Sequence, residues 1–220
     1  AKVAEAGAVP WVNICMQRHV QSAPIQVGCF GLLRNLADDE DLAKVIAGGE
    51  AMPRVLANMS KHVKSPAVQR WGCEVIKSVS RCGLQAQMMM VKAGSIDRLA
   101  VCLSQHKDDA NVQAQAIAAI GNLCYGSQKI KRKVRRKGCV DRMLTVIEEQ
   151  HENSALVGLT CWALGNIISD DLRSRVCLFK KGVREKVKKA VDNDFHRQHP
   201  SLQKHGSALL RCMEGIEASV

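Results

Sequence analysis

The chain has 220 residues, a formal net charge of +11 and 3% aromatic residues, with Ala, Val, Leu, Ile and Met supplying most of the apolar content. No apolar run approaches the roughly 20 residues that a membrane-spanning helix needs. The 10 cysteines contain no C-x-x-C pair, and a disulfide framework belongs to short secreted chains, so they read as buried thiols of a reducing, cytoplasmic or similar intracellular compartment.

In chain order, apolar spacing and Pro, Gly and Asp punctuation predict short helices throughout. Ala1–Ala6 reads as the last turn of a helix. Val9–His19 follows, with Val9, Val12, Ile14 and Met16 facing inward. Pro24 falls in the first turn of the next helix, where its missing N–H costs nothing, and that helix runs to Leu36. Asp38–Asp41 place acid at the start of a short helix that ends at Gly48–Gly49. Pro53 begins a helix to about Lys61. Ser65–Pro66 cap and start the next, which continues to Val79. Then come Leu84–Ala93, with Met88–Met90 as core, Ile96–His106 and, behind an Asp108–Asp109 cap, Ala110–Cys124. Gln128–Lys137, Val140–Gln150 and Ala155–Ile168 form a further set. Asp170–Asp171 open the last set: Leu172–Lys181, Val183–Val191 and Leu202–Glu217, with Asn193–Pro200 as a longer polar link.

Two markers give this succession a period. A Gly before a medium helix recurs at Gly7, Gly49, Gly94, Gly138 and Gly182, spaced 42, 45, 44 and 44. A late polar residue of the long helix recurs at Asn35, Ser78, Asn122 and Asn166, spaced 43, 44 and 44. Periods in the forties belong to helical arrays in which each unit buries its apolar face against the next. The units fall at about 1–37, 38–81, 82–125, 126–169 and 170–220.

The motifs at those places resemble armadillo repeats. Ala6-Gly7-Ala8-Val9-Pro10, Ala93-Gly94-Ser95-Ile96 and Lys137-Gly138-Cys139-Val140 are similar to the family's turn between first and second helices. Val27-Gly28-Cys29, Trp71-Gly72-Cys73 and Leu159–Asn166 are similar to its third helix. The resemblance covers the whole chain. It implies one all-α, right-handed α-solenoid of about five armadillo repeats, incomplete at the N-terminus, and a non-enzymatic interaction scaffold or adaptor with protein partners. Neither end reads as finished. Leu209, Leu210, Met213 and Ile216 have no repeat after them, so further repeats or other subunits are expected to cover the ends. The chain begins Ala1-Lys2 without Met and with no visible signal peptide, which leaves room for a removed targeting segment.

Charge supplies the first candidate surface. Residues 1–110 hold 13 Lys and Arg against 10 Asp and Glu; residues 111–220 hold 19 against 11, so acidic partner surfaces are expected there. The peak is Lys129, Lys131, Arg132, Lys133, Arg135, Arg136 and Lys137, around an Ile130–Val134 stripe that should face the core. Arg173, Arg175, Lys180, Lys181, Arg184, Lys186, Lys188 and Lys189 extend it. The bland account is a solvated helix face. The alternative function is a peripheral adaptor that binds anionic lipid or nucleic acid through this basic edge.

The second candidate surface follows from the resemblance. In the family's import receptors an Asn ladder on the third helices bonds an extended peptide backbone, and a Trp four residues earlier packs on its side chains. Asn35, Asn122 and Asn166 share that position here, but only Trp162 stands four before its Asn. Gly31, Glu74 and Ala118 occupy the other places, a departure from that pattern. His19, His62, His106 and His151 each end a second helix, where a polar group near the dipole accounts for them. Cys102 and His106 lack an orienting third group, and His196 and His199 lack further metal ligands in view. No Gly-rich phosphate loop, paired carboxylates or nucleophile motif occurs, so neither enzyme activity, metal nor cofactor is expected.

Overall fold

The computed structural model describes residues 7–169, 172–193, 197–214 and 216; the expectations placed on Ala1–Ala6, Asp170–Asp171, His196 and Glu217 lie outside them. Among the described residues there are 14 α-helices and no strand. The chain divides into two compact units, residues 1–119 and 120–220.

The first unit holds α1 (Ala8–Arg18), α2 (Ala23–Leu36), α3 (Glu40–Gly48), α4 (Ala51–Lys61), α5 (Pro66–Ser80), α6 (Leu84–Ala93), α7 (Ser95–Gln105) and most of α8 (Ala110–Leu123). Their starts follow from local chemistry. Asp39 Oδ1 accepts from the N–H groups of Asp41 and Leu42, and Asp109 Oδ1 from those of Asn111 and Val112, all at 3.0 Å. These bonds satisfy donors that no helical carbonyl can reach. Pro24 and Pro66 sit in first turns, as expected. Gly94 (φ 104°) both ends α6 and starts α7, a left-handed link that a side chain resists. Gly49 holds the matching place but is extended (φ −93°), so spacing marks the position and not the conformation. There a Cβ would meet the Val45 carbonyl oxygen at 2.9 Å.

Like helices pack on like: α1 on α4, α4 on α7, α3 on α6, and α2 on α5. Met16, Phe30, Leu33, Ile46, Met52, Met59, Ile76, Met90 and Ile96 are fully buried between these layers. Fully burying one such side chain contributes about 1.5–3 kcal/mol. Small residues set the spacing. A Cβ on Gly72 of α5 would come within 2.4 Å of Met59 Sδ on α4. Ile14 departs from its expected inward place and is part-exposed, and neighbouring Trp11 is 71% exposed.

Three buried glutamines lock this unit. Gln69 Nε2 donates to the carbonyls of Met59 and His62, both at 2.8 Å, at the end of α4. Gln26 does the same to Met16 and His19, and Gln113 to Leu103 and His106. The other end of the amide is used across repeats: Gln26 Oε1 accepts from Asn58 Nδ2 at 2.6 Å, and Gln69 Oε1 from the Cys102 thiol at 3.3 Å. His62 Nε2 lies 2.8 Å from the Val20 carbonyl, and His106 Nε2 2.7 Å from that of Val63, so in both rings Nε2 donates. These histidines therefore bridge neighbouring repeats as well as capping their helices. His151 follows the Gln150 cap and bonds locally to the Glu148 carbonyl.

The second unit holds α9 (Gln128–Arg136), α10 (Cys139–Glu149), α11 (Ser154–Ile168), α12 (Leu172–Lys180), α13 (Val183–Val191) and α14 (Pro200–Cys212). Gly138 and Gly182, at φ 72° and 68°, start α10 and α13. Third helix again meets third helix: a Cβ on Gly158 of α11 would reach the Leu202 backbone nitrogen of α14 at 2.9 Å. His199 is the N-cap of α14, its Nδ1 accepting from the Leu202 N–H at 3.4 Å. Val157, buried, stands where the period would put another glutamine. One expectation is corrected. Leu209, Met213 and Ile216 do not form an uncovered face; they are buried, and Leu210 is part-exposed.

Replacing Gln69 with Leu leaves two buried helix-terminal carbonyls without donors, at about 1–3 kcal/mol each. Gln69→Leu should therefore lower the unfolding free energy by about 2–4 kcal/mol in urea titration, while exposed Lys61→Ala stays within about 0.5 kcal/mol.

Candidate binding surfaces

α11 is buried on all sides but one. Its residues that reach solvent are Ser154, Ala155, Leu159, Trp162, Gly165 and Asn166, a stripe at helical spacing. Trp162 and Asn166 thus share the open face of their helix. Both also reach back to Gly121 on α8. A Cβ there would lie 2.3 Å from the Trp162 ring, so the ring rests where only glycine leaves room. Asn166 Nδ2 donates to the Gly121 carbonyl at 3.2 Å. One N–H of the Asn166 amide is thus engaged within the protein, and Oδ1 remains to accept. Asn122, beside Gly121, lies part-exposed on the open stripe of α8 with Ala118.

In the first unit Asn35 is exposed on the open stripe of α2 and accepts from Arg34 at 2.9 Å. Ser78, at the same place on α5, is buried. The open stripe of α5 carries Trp71, Glu74 and Lys77 instead. Trp71 covers Gly31 of α2 and has Arg70 5.3 Å from its ring. Lys77 Nζ is 2.7 Å from Glu74 and donates to Gln115 on α8 at 2.6 Å. Trp71 thus seats on a glycine one helix back as Trp162 does, a pairing that the Trp–Asn spacing did not reveal. Glycine at the facing position was its signal.

The basic run divides into two faces. Lys131 is 1% exposed, and its Nζ donates to the carbonyl and hydroxyl of Ser169 at 2.5 and 2.7 Å. Ser169 is the C-cap of α11, so the ammonium meets the negative end of that helix. Arg135, one turn on, donates to the buried Ser174 hydroxyl. The seven-residue edge is therefore corrected: Lys131 and Arg135 belong to the packing of α9. Lys129, Arg132, Arg136 and Lys137 are exposed and Lys133 part-exposed. Elsewhere cations are neutralised by the pairs Lys181–Asp141, from the turn after α12, and Lys186–Glu148, from α13 to α10.

Six cysteines are buried, and Cys212 alone is exposed. Burial pushes the Cys161 thiol up to about 12. Cys124 is raised by burial and then by neighbouring Cys139, and Cys73 by its hydrogen bond with Cys102 and then by burial. Thiols raised in this way are protonated and poor nucleophiles. No group of three or more His, Cys, Asp or Glu side chains arranged to hold a metal occurs among the described residues.

Residues 85–125 match the model of the Armadillo/beta-catenin-like repeat. Over 96% of its length the chain superposes on 84% of a designed armadillo repeat protein in complex with the peptide (KR)4, at a TM-score of 0.85 and 17% identity. The chain has the armadillo-repeat fold. A second designed armadillo repeat protein matches at TM-score 0.84 and 16% identity, over 96% of this chain and 84% of that one. An engineered protein matches at 0.84 and 17%, over 96% and 81%. No curated protein sequence matches. In armadillo terms α2, α5, α8, α11 and α14 are third helices, and the run 129–137 is a first helix. No helix among the described residues is long and apolar enough to cross a membrane.

Two outcomes check the assignment of side chains to these armadillo faces. Lys131→Ala should lower the unfolding free energy by about 1.5–3 kcal/mol, the range for a hydrogen bond to a charged group, whereas Arg132→Ala leaves the thermal midpoint almost unchanged. Titration of the native protein with a disulfide reagent at mildly alkaline pH should show Cys212 reacting first. The six buried thiols should react only as the protein unfolds.

Proposed function

We propose that this protein is a non-enzymatic adaptor that holds an extended segment of a partner protein on the open stripes of its third helices, centred on Trp162 and Asn166. The observation that carries the reading is the Trp162–Gly121–Asn166 cluster. An aromatic ring and an amide are held rigidly, by packing and by a hydrogen bond, on the one solvent-facing stripe of an otherwise buried helix. A preset aromatic wall loses little freedom when a ligand covers it. Asn166 Oδ1 accepts a backbone N–H, and Asn122 lies on the open stripe of α8 beside Gly121.

Packed helices lie roughly 10 Å apart and an extended chain advances roughly 3.3 Å per residue, so one repeat reads about three residues of the partner. The designed armadillo repeat protein named above holds a basic peptide, (KR)4. The charge balance of this chain favours the opposite sign: α11 carries no charged residue, and α14 carries Lys204 and Arg211 with no Asp or Glu. The buried thiols fit a reducing, intracellular setting.

The test is fluorescence anisotropy with two labelled octapeptides, one alternating Asp and Glu and the other (KR)4. The acidic peptide should bind and the basic one should not. Trp162→Ala with Asn166→Ala should weaken binding by about ten-fold or more, with folding checked by circular dichroism. Loss of binding on neutralising Lys129, Arg132 and Arg136, with none on altering Trp162 and Asn166, would move the partner off the third helices.

A further inference from the structure

The outer face of α9 is a separate feature that the groove reading does not use. Lys129, Arg132 and Arg136 stand at i, i+3 and i+7, on one side of the helix, and all three are exposed. Among the described residues they form no ion pair or hydrogen bond, and no Asp or Glu occurs between Tyr125 and Val140. By contrast Lys181, in the turn after α12, and Lys186, on α13, are matched by Asp141 and Glu148. Lys180, which ends α12, is likewise exposed and without an ion pair among the described residues. The bonds from Lys131 to Ser169 and from Arg135 to Ser174 set α9 and α12 side by side, so these cations share one face.

Apolar groups flank that face. Tyr125, in the turn before α9, is 73% exposed, and Leu172, the first residue of α12, is 59% exposed. The Lys131–Ser169 bonds hold the first turn of α9 against the C-cap of α11, three residues before Leu172 in the chain. Two exposed apolar side chains therefore border a row of cations that no described acidic residue neutralises. A phosphate polymer in water has no use for an exposed Leu. A lipid surface does: its phosphates attract the cations, and its interfacial zone takes Tyr and Leu side chains. A nucleic-acid site would instead need several aromatics to stack bases, and Tyr125 is the only Tyr in the chain.

We propose that the α9–α12 face docks on an anionic lipid surface, with Lys129, Arg132, Arg136 and Lys180 on lipid phosphates and Tyr125 and Leu172 inserted at headgroup depth. Docking is reversible and depends on salt, because the cations act through a screened field and the apolar contribution is small.

The experiment is co-sedimentation of the full chain with phosphatidylcholine vesicles, with and without phosphatidylserine, over a series of salt concentrations. Binding is expected only to the anionic vesicles and should fall as salt rises. The triple variant Lys129→Gln, Arg132→Gln, Arg136→Gln should lower the partition coefficient by about 100-fold. Because those side chains are exposed and unpaired, its thermal midpoint should match the parent's. Tyr125→Ser with Leu172→Ser should weaken binding by roughly ten-fold while keeping the salt slope. Failure of the parent to bind anionic vesicles would overturn the proposal, and so would full binding by the triple variant. Binding to single-stranded RNA that is as strong and indifferent to Tyr125 and Leu172 would overturn it in favour of a phosphate-polymer site.

Discussion

A glutamine amide placed among methionines and leucines holds the first unit in register. Gln26, Gln69 and Gln113 are fully buried, which would be costly if their amides were idle. Instead each donates to two carbonyls that the end of a second helix leaves open. One side chain thus ends one helix and fixes where the next must lie. The Asn58 and Cys102 bonds to the amide oxygens carry the same register into the following repeat. Apolar layers are tolerant of sliding; a fork of hydrogen bonds at about 2.8 Å is not.

With register fixed, close approach becomes useful. Glycine at 72, 121 and 158 lets a sulfur, an indole and a backbone segment come nearer than any side chain would permit. The close seats at 121 and 158 lie on third helices facing third helices, and there the open stripes form. The candidate binding face is a by-product of tight packing: what remains uncovered on α11 after its neighbours close in is the narrow line through Leu159, Trp162 and Asn166. First helices are less enclosed, which is why α9 can carry an exposed cationic face at Lys129, Arg132 and Arg136.

Much of this was legible in the sequence. The period of about 44 marked every turn, and the glycines at 94, 138 and 182 adopt the positive φ that turns of this kind demand. What the sequence hid depended on partners far along the chain. Lys131 looked like one of seven equal cations, because a helix's own pattern does not say that the C-terminal end of another helix waits beside its core stripe. Arg135 was hidden by the same cause. Leu209, Met213 and Ile216 looked stranded because they were read with no repeat after them, yet they are buried. The glutamines are a different case. They recur with the period, seven residues after His19, His62 and His106, and were readable, but a polar residue on an apolar face draws attention only when its acceptors are known.

The seat of Trp162 on Gly121 also bears on how sequences of this kind can change. At 2.3 Å from the ring, even one methyl group at residue 121 is refused while the indole stays. Residue 121 gains freedom only after residue 162 has become smaller, and a tryptophan can arise at 162 only opposite glycine. Along a lineage the two positions should substitute in a fixed order. Position 31 is under a looser version of the same rule, since Trp71 leaves a Cβ there 3.8 Å of room. The aromatic wall proposed for ligand contact is thus inherited as a pair, and its history should be written in a glycine that never touches the ligand.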